Sequence, residues 1–354
     1  MTAYDRQIVI PVTVRVPAKV NLQLSVGPPR ADGYHDLVTV FHAVSLFDEV
    51  TVRPADRTRV LVTGDDVAGV PAGRANLAVR AARALATVGL RRRGRPAVQI
   101  EIRKRIPVAA GLAGGSADAA ATLVACNELW KAGLTPAELR EVAAKVGSDV
   151  PFALLGGTAI GQGRGEQLTA ALAAGSYHWV LAFAPGGLST PEVYAACDRL
   201  RAARPARGGH GAGSAGAARA VAAASTAGVT SVGGPSGPDA ADGAVQPLPG
   251  LSTELMAALR SGDPASVGPL LSNDLQPAAV SLRPDLRRTL NAGQEHGALG
   301  AMVSGSGPTC AFLAANAAHA RELAVALTGA GVCRSVVRVK GPAPGATVVA
   351  AEPR

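Results

Sequence analysis

The stretch that most constrains the fold is Pro107-Val-Ala-Ala-Gly111-Leu-Ala-Gly114-Gly115-Ser116-Ala117-Asp118. It leads from a period-two segment, Ala97 to Ile102, into an Ala- and Leu-rich helical one, Ser116 to Lys131. Its glycines let backbone amides come close to a ligand, and the first N–H groups of the helix lack intrahelical partners. With the helix dipole added, such a turn suits a phosphate group. It is not a Walker loop, because the Gly-Lys-Ser/Thr ending is missing, and the G-x-G-x-x-G dinucleotide spacing also fails.

Strands and helices surround this turn in mixed order. Arg6 to Val16 and Val38 to Val52 read as strands. Asn76 caps a helix from Leu77 towards Val88, and Thr135-Pro136-Ala137-Glu138 forms a capping box for a helix ending near Gly147. Trp179 to Phe183 reads as a strand, and Ser189-Thr190-Pro191-Glu192 as a second capping signal. Helices follow at Leu251 to Leu259, Asp285 to Leu290 and His319 to Leu327. Strands follow across Ala298 to Leu313 and at Ser335 to Val339. Strand pairs adjoin one another, so α+β fits better than repeating βαβ units.

The length of 354 residues suits about two domains, and 48% apolar residues suffice for a sizeable core. The 44 positions from Ala202 to Val245 hold no Leu, Ile or aromatic residue. Such a segment cannot offset its ordering entropy by burial, and reads as an exposed, disordered insertion. Lys+Arg 35 against Asp+Glu 26 gives +9, dispersed except for Arg91-Arg92-Arg93-Gly94-Arg95. A basic balance fits nucleic acid, an anionic membrane or a phosphorylated substrate. Cys126, Cys197, Cys310 and Cys333 are far apart and form no Cys-x-x-Cys pair, so neither a zinc ribbon nor a disulfide framework is supported. The start, MTAYDRQIVI, lacks a signal-peptide pattern, and no stretch reaches the ~18 apolar residues of a membrane span. A reduced, cytoplasmic protein is expected.

Other candidates are weak one at a time. Lys19 reads as a snorkelling cation near a strand end or as a stabiliser of developing negative charge. Asp149 reads as an N-cap. Ser304-Gly305-Ser306-Gly307-Pro308 is a tight hairpin or a second phosphate-type loop. In order, however, Pro17-Ala-Lys19-Val-Asn21-Leu, Arg30-Ala-Asp-Gly-Tyr34-His35, Gly111 to Asp118, Gly147-Ser-Asp149-Val-Pro-Phe152 and Ser304 to Pro308 resemble the GHMP family of small-molecule kinases. The resemblance spans about Val12 to Leu313 and breaks only at the insertion.

The resemblance implies a two-domain GHMP kinase fold. An N-terminal domain like ribosomal protein S5 domain 2 would occupy 1–175, and a C-terminal α+β domain 176–354, with the insertion at 202–245. It implies ATP as co-substrate, with Mg2+ and Ser116 as a metal contact. Pro107, Gly111, Leu112, Ala113, Gly114, Gly115 and Ser116 would bind ATP, with Gly305, Ser306 and Gly307 as the second glycine loop. Asp149 would accept the proton of the attacking hydroxyl, and Lys19 would favour the alkoxide. The Arg-Ala-Asp-Gly-Tyr-His run implies the branch that phosphorylates the 2-hydroxyl of a cytidine diphosphate-linked methylerythritol for isoprenoid precursors. Tyr34 and Tyr194 would then sandwich the cytosine, His35 would bond the base edge, and Asn21 and Thr190 would fix the rest. Partners would be these small molecules rather than nucleic acid or membrane, with the chain a monomer or homodimer. Another GHMP kinase, or a non-catalytic nucleotide- or RNA-binding module, stays open. Ala113 stands where many relatives have glycine, and a positive φ there costs around 1 kcal/mol.

Overall fold

The computed structural model describes residues 10–65, 67–89, 96–203 and 250–349. The first strand, β1 (Val12–Pro29), shows why the site can exist. Its even positions Val14, Val16, Ala18, Val20 and Leu22 are apolar and pack into the core. Its odd positions Lys19, Asn21 and Gln23 are polar and therefore share the opposite face. The register against β2 (His35–Pro54) shifts between Pro17 and Ala18 and again between Asn21 and Gln23. Lys19 thus lies mid-strand between two irregularities, not near a strand end as the sequence suggested.

After β3 (Arg59–Gly64) come α1 (Leu77–Gly89), β4 (Val98–Lys104), α2 (Gly114–Trp130), α3 (Pro136–Val146) and α4 (Val150–Leu155). Asn76 caps α1 as expected, its Oδ1 accepting the Ala78 N–H at 2.9 Å. The capping box of α3 is formed: the Thr135 hydroxyl accepts from Glu138 N–H and the Glu138 carboxylate from Thr135 N–H. Small side chains let α2 sit inside the molecule, with Ala117, Ala119, Ala120 and Ala121 nearly fully buried. It packs against β1, β2, α1 and α4. The strands β5 (Thr158–Gln162) and β6 (Gln167–Ala170) extend the same sheet.

The chain continues through β7 (Tyr177–Phe183), α5 (Thr190–Ala202), α6 (Thr253–Ser261), α7 (Pro264–Val267), β8 (Ser272–Asn273), α8 (Gln276–Leu282) and α9 (Asp285–Glu295). It closes with β9 (Gly300–Val303), β10 (Cys310–Ala314), α10 (Ala317–Gly329), β11 (Ser335–Gly341) and β12 (Thr347–Val349). Four of these strands form a second, antiparallel sheet in the order β11-β7-β10-β9. Both faces of β7 are buried: Tyr177, Trp179 and Leu181 join the core of the first sheet, and Val180 and Ala182 a second core with α5, α8, α9 and α10. β8 and β12 return to pair with β1, so sheet membership does not follow the chain halves.

Arg91 to Arg95 and most of the insertion, from residue 204 on, lie outside the described residues; α5 closes at Ala202. The Ser189 side chain makes no capping bond, so the second capping signal marks the helix start without supplying the cap.

Candidate active site

The phosphate-type turn is built by backbone conformation. Ala109, Gly111 and Ala113 hold φ of 50°, 76° and 58°, so every second residue is left-handed. Ala113 does carry the strained conformation that its sequence position raised as a concern. The first intrahelical bond of α2 is Ala117 N–H to the Ala113 carbonyl at 2.9 Å. The N–H groups of Gly114, Gly115 and Ser116 precede it and have no intrahelical acceptor. A Cβ on Gly111 would collide with the Ser304 carbonyl oxygen, and the Ser304 hydroxyl donates to the Gly111 carbonyl at 3.2 Å. The two glycine loops therefore meet backbone to backbone.

A cleft of about 740 Å³ opens at this junction, within the range of small-molecule sites. Its lining includes Lys19, Asn21, Tyr34, His35, Pro107, Gly111, Ala113 to Ser116, Asp149, Thr190, Tyr194, Gly305 and Ser306. Two expected residues are not among them. The Leu112 side chain is fully buried in the core, and its carbonyl instead accepts the Lys19 N–H at 3.3 Å. Gly307 faces Val303 and Leu188 beneath its loop.

Lys19 is 7% exposed, and its ammonium donates to Asn21 Oδ1 at 2.6 Å. Asn21 Nδ2 donates to the Thr39 hydroxyl at 2.8 Å, which donates to the Gln23 carbonyl at 2.7 Å. Asn21 is thus first a holder of Lys19, and Thr39 a positioning residue that the sequence reading missed. Burial pushes the Lys19 ammonium below its ordinary value, while the charge of Asp149 opposes that shift. Among the described residues the two form no ion pair. Asp149 stands at the N-cap position of α4 with helical dihedrals, but its side chain makes no capping bond, so its carboxylate is left to the cleft.

Tyr34 is 54% exposed, with the Arg164 guanidinium 5.1 Å from its ring centroid. The Tyr194 phenol is raised by burial, with the Asp149 charge adding to it. The His35 and Tyr194 rings lie 5.0 Å apart. His35 Nε2 sits 3.0 Å from an Asp198 carboxylate oxygen. Asp198 was not singled out in the sequence, although it follows Tyr194 by four residues on one helix face. The Thr190 and Ser306 hydroxyls are 2.9 Å apart, joining α5 to the second glycine loop. Asn273 Nδ2, also missed, holds that loop through the Val303 and Gly305 carbonyls, each at 2.7 Å.

Below the first loop Lys104 is sandwiched by Asp48 and by Asp118 at 2.9 Å, all three buried. Asp48 is also satisfied by the N–H groups of Arg105 and Ile106, whereas Asp118 Oδ1 has no partner among the described residues. Burial works to lower Lys104, but its two carboxylates overcome that and hold it above its ordinary value. Burial raises Asp118 to about 7; Lys104 opposes this and Asp48 adds to it. No group of three or more His, Cys, Asp or Glu side chains able to hold a metal occurs among the described residues.

Gly111→Ala is expected to cost about 3 kcal/mol, because backbone cannot yield as a side chain does. Ala113→Gly should stabilise by about 0.5 kcal/mol, the relief of left-handed strain less the freedom glycine adds to the unfolded chain. Denaturant unfolding checks both signs. For Asp118, the folded chain keeps a proton that the unfolded chain releases between about pH 4 and 7, so this linkage erodes stability as pH rises through that window. The stability of Asp118→Asn relative to the parent is therefore expected to rise across the window and level above it. A pH-independent difference contradicts the assignment.

Two family models match the chain: the GHMP kinases N terminal domain over residues 76–157 and the GHMP kinases C terminal over 255–333. A 4-diphosphocytidyl-2-C-methyl-D-erythritol kinase of Mycolicibacterium smegmatis is 52% identical over 341 residues, 96% of this chain and 93% of that protein. One from Thermobifida fusca is also 52% identical, over 96% of this chain and 98% of its own. A crystal structure of 4-(cytidine 5'-diphospho)-2C-methyl-D-erythritol kinase superposes with a TM-score of 0.63 at 32% identity, covering 92% of this chain and 98% of that one. A homoserine kinase from Cytophaga hutchinsonii, at 17% identity and TM-score 0.64, shares the fold. With its helices on two mixed and antiparallel sheets and two glycine loops meeting at one cleft, the chain belongs to the GHMP kinase family of small-molecule kinases.

Proposed function

We propose that this protein transfers the γ-phosphoryl group of ATP to the 2-hydroxyl of 4-diphosphocytidyl-2-C-methyl-D-erythritol, giving the 2-phosphate and ADP. The observation that carries the reading is the meeting, in one cleft, of an anion-binding loop, a buried ammonium and free carboxylate, and a half-exposed tyrosine beside a His–Tyr pair. The two relatives at 52% identity bear the name of the same kinase. In this reading residues 1–175 supply the ATP loop, Lys19 and Asp149, and residues 176–354 supply Thr190, Tyr194 and the second glycine loop.

The phosphates of ATP lie on the free N–H groups of Gly114, Gly115 and Ser116. The bond from the substrate oxygen to the γ-phosphorus forms as the bond to the bridging oxygen of ADP breaks. Asp149 receives the hydroxyl proton, and Lys19, fixed through Asn21 and Thr39, stabilises the oxygen while it carries negative charge. Because phosphoryl transfer is loose, holding that oxygen in line matters more than basicity. Mg2+ fits as part of the nucleotide substrate: the Ser116 hydroxyl would stand beside it, the ion would neutralise phosphate charge, and among the described residues no carboxylate cluster offers it a cage. The cytosine stacks on the Tyr34 face that Arg164 leaves open, and the net +9 favours capture of two anionic substrates. Four free cysteines, three of them buried, fit a cytoplasmic setting.

Asp149→Asn should lower turnover about 10²- to 10³-fold with ATP affinity little changed, read by ADP release. Retained turnover removes the role given to that carboxylate. Tyr34→Ala should weaken CDP binding about tenfold by calorimetry; unchanged affinity favours a different GHMP substrate.

A further inference from the structure

His35 is bonded by a residue outside the motifs that define the site. Its side chain is 7% exposed, and Nε2 lies 3.0 and 3.2 Å from the two oxygens of Asp198. A carboxylate only accepts, so the proton between them belongs to Nε2. In the neutral ring the lone pair is then on Nδ1. That atom makes no hydrogen bond among the described residues and is not one of the buried unsatisfied atoms, and His35 lines the cleft. Arg201, three residues further along the same helix, is engaged elsewhere: it bonds the Gly27 carbonyl and the Asp274 carboxylate, each at 3.1 Å. Tyr194, one turn before Asp198, packs its ring against the imidazole and limits its rotation.

We propose that Asp198 is a positioning residue that sets base specificity by making His35 Nδ1 an obligate acceptor. This rests on the reading of the cleft as a cytidine diphosphate site. At the relevant base edge cytosine offers an amino donor, whereas uracil offers a carbonyl acceptor. An acceptor Nδ1 bonds the first and opposes the second, and an unpaired polar group in a closed site discriminates strongly. An amide in place of Asp198 removes the constraint, because it can present either oxygen or N–H to Nε2 and so permits both tautomers.

The test is calorimetric titration of the full chain with CDP and with UDP, in the parent, D198N and D198E, with ATP titration and thermal unfolding as controls. The parent is expected to prefer CDP. D198N should reduce the CDP/UDP affinity ratio about tenfold without a matching change in ATP affinity, and D198E should restore most of it. Nitrogen NMR of labelled histidine should show His35 protonated at Nε2 alone in the parent and at both sites in exchange in D198N. An undiminished ratio in D198N, or a proton on Nδ1 in the parent, overturns the proposal. A parent that does not prefer CDP overturns the cytidine reading as well, and this is seen before any substitution is made.

Discussion

Gly111 and Ser304 touch through their backbones, and the cleft depends on that contact. One loop leads from the first sheet into α2; the other joins β9 to β10 in the second sheet. Without a Cβ at Gly111 the loops close upon each other, and Gly305 comes close to the Lys19 ammonium, where an added Cβ would lie 3.0 Å from Nζ. The amides of one loop, the cation of β1 and the hydroxyls of Thr190 and Ser306 are thereby brought to one place. Neither sheet presents this set alone.

The charges around the cleft differ in how firmly they are held. Lys104 lies between two carboxylates under the loop and is held firmly by them. Among the described residues Lys19 has one neutral hydrogen-bond acceptor, the Phe41 ring 5.9 Å from its ammonium, and a carboxylate that acts on it without an ion pair. A buried ammonium so lightly compensated is costly for stability. It is also uncommitted, and can respond to negative charge that develops on a substrate oxygen. Local strain at Ala113, outside the usual glycine, is tolerated because α2 and the Gly111–Ser304 contact fix the turn from both sides.

Local signals stand where the sequence puts them. The caps at Asn76 and Thr135 depend on neighbours two or three residues away, and the loop from Pro107 to Asp118 sits between strand and helix as its composition requires. Lys19, Asp149, Tyr34, His35, Thr190 and Tyr194 all reach the cleft, because the motif order already records which segments converge. What was not legible depends on partners far along the chain. Thr39 matters through Asn21, Asn273 through carbonyls thirty residues on, and Asp48 through backbone it meets only after β4. Leu112 lies inside the first glycine loop yet faces the core. Asp198 was within reach, being one helical turn from Tyr194, but its partner His35 is 163 residues away.

The reaction proposed for this cleft is phosphorylation of a cytidine diphosphate-linked alcohol. The most direct measurement is ATP-dependent ADP release with 4-diphosphocytidyl-2-C-methyl-D-erythritol, homoserine and mevalonate offered in parallel to the same full-length protein. Turnover with the cytidyl substrate alone, with the phosphate found on its 2-hydroxyl, is the expected result. Equal or faster turnover with homoserine or mevalonate contradicts it.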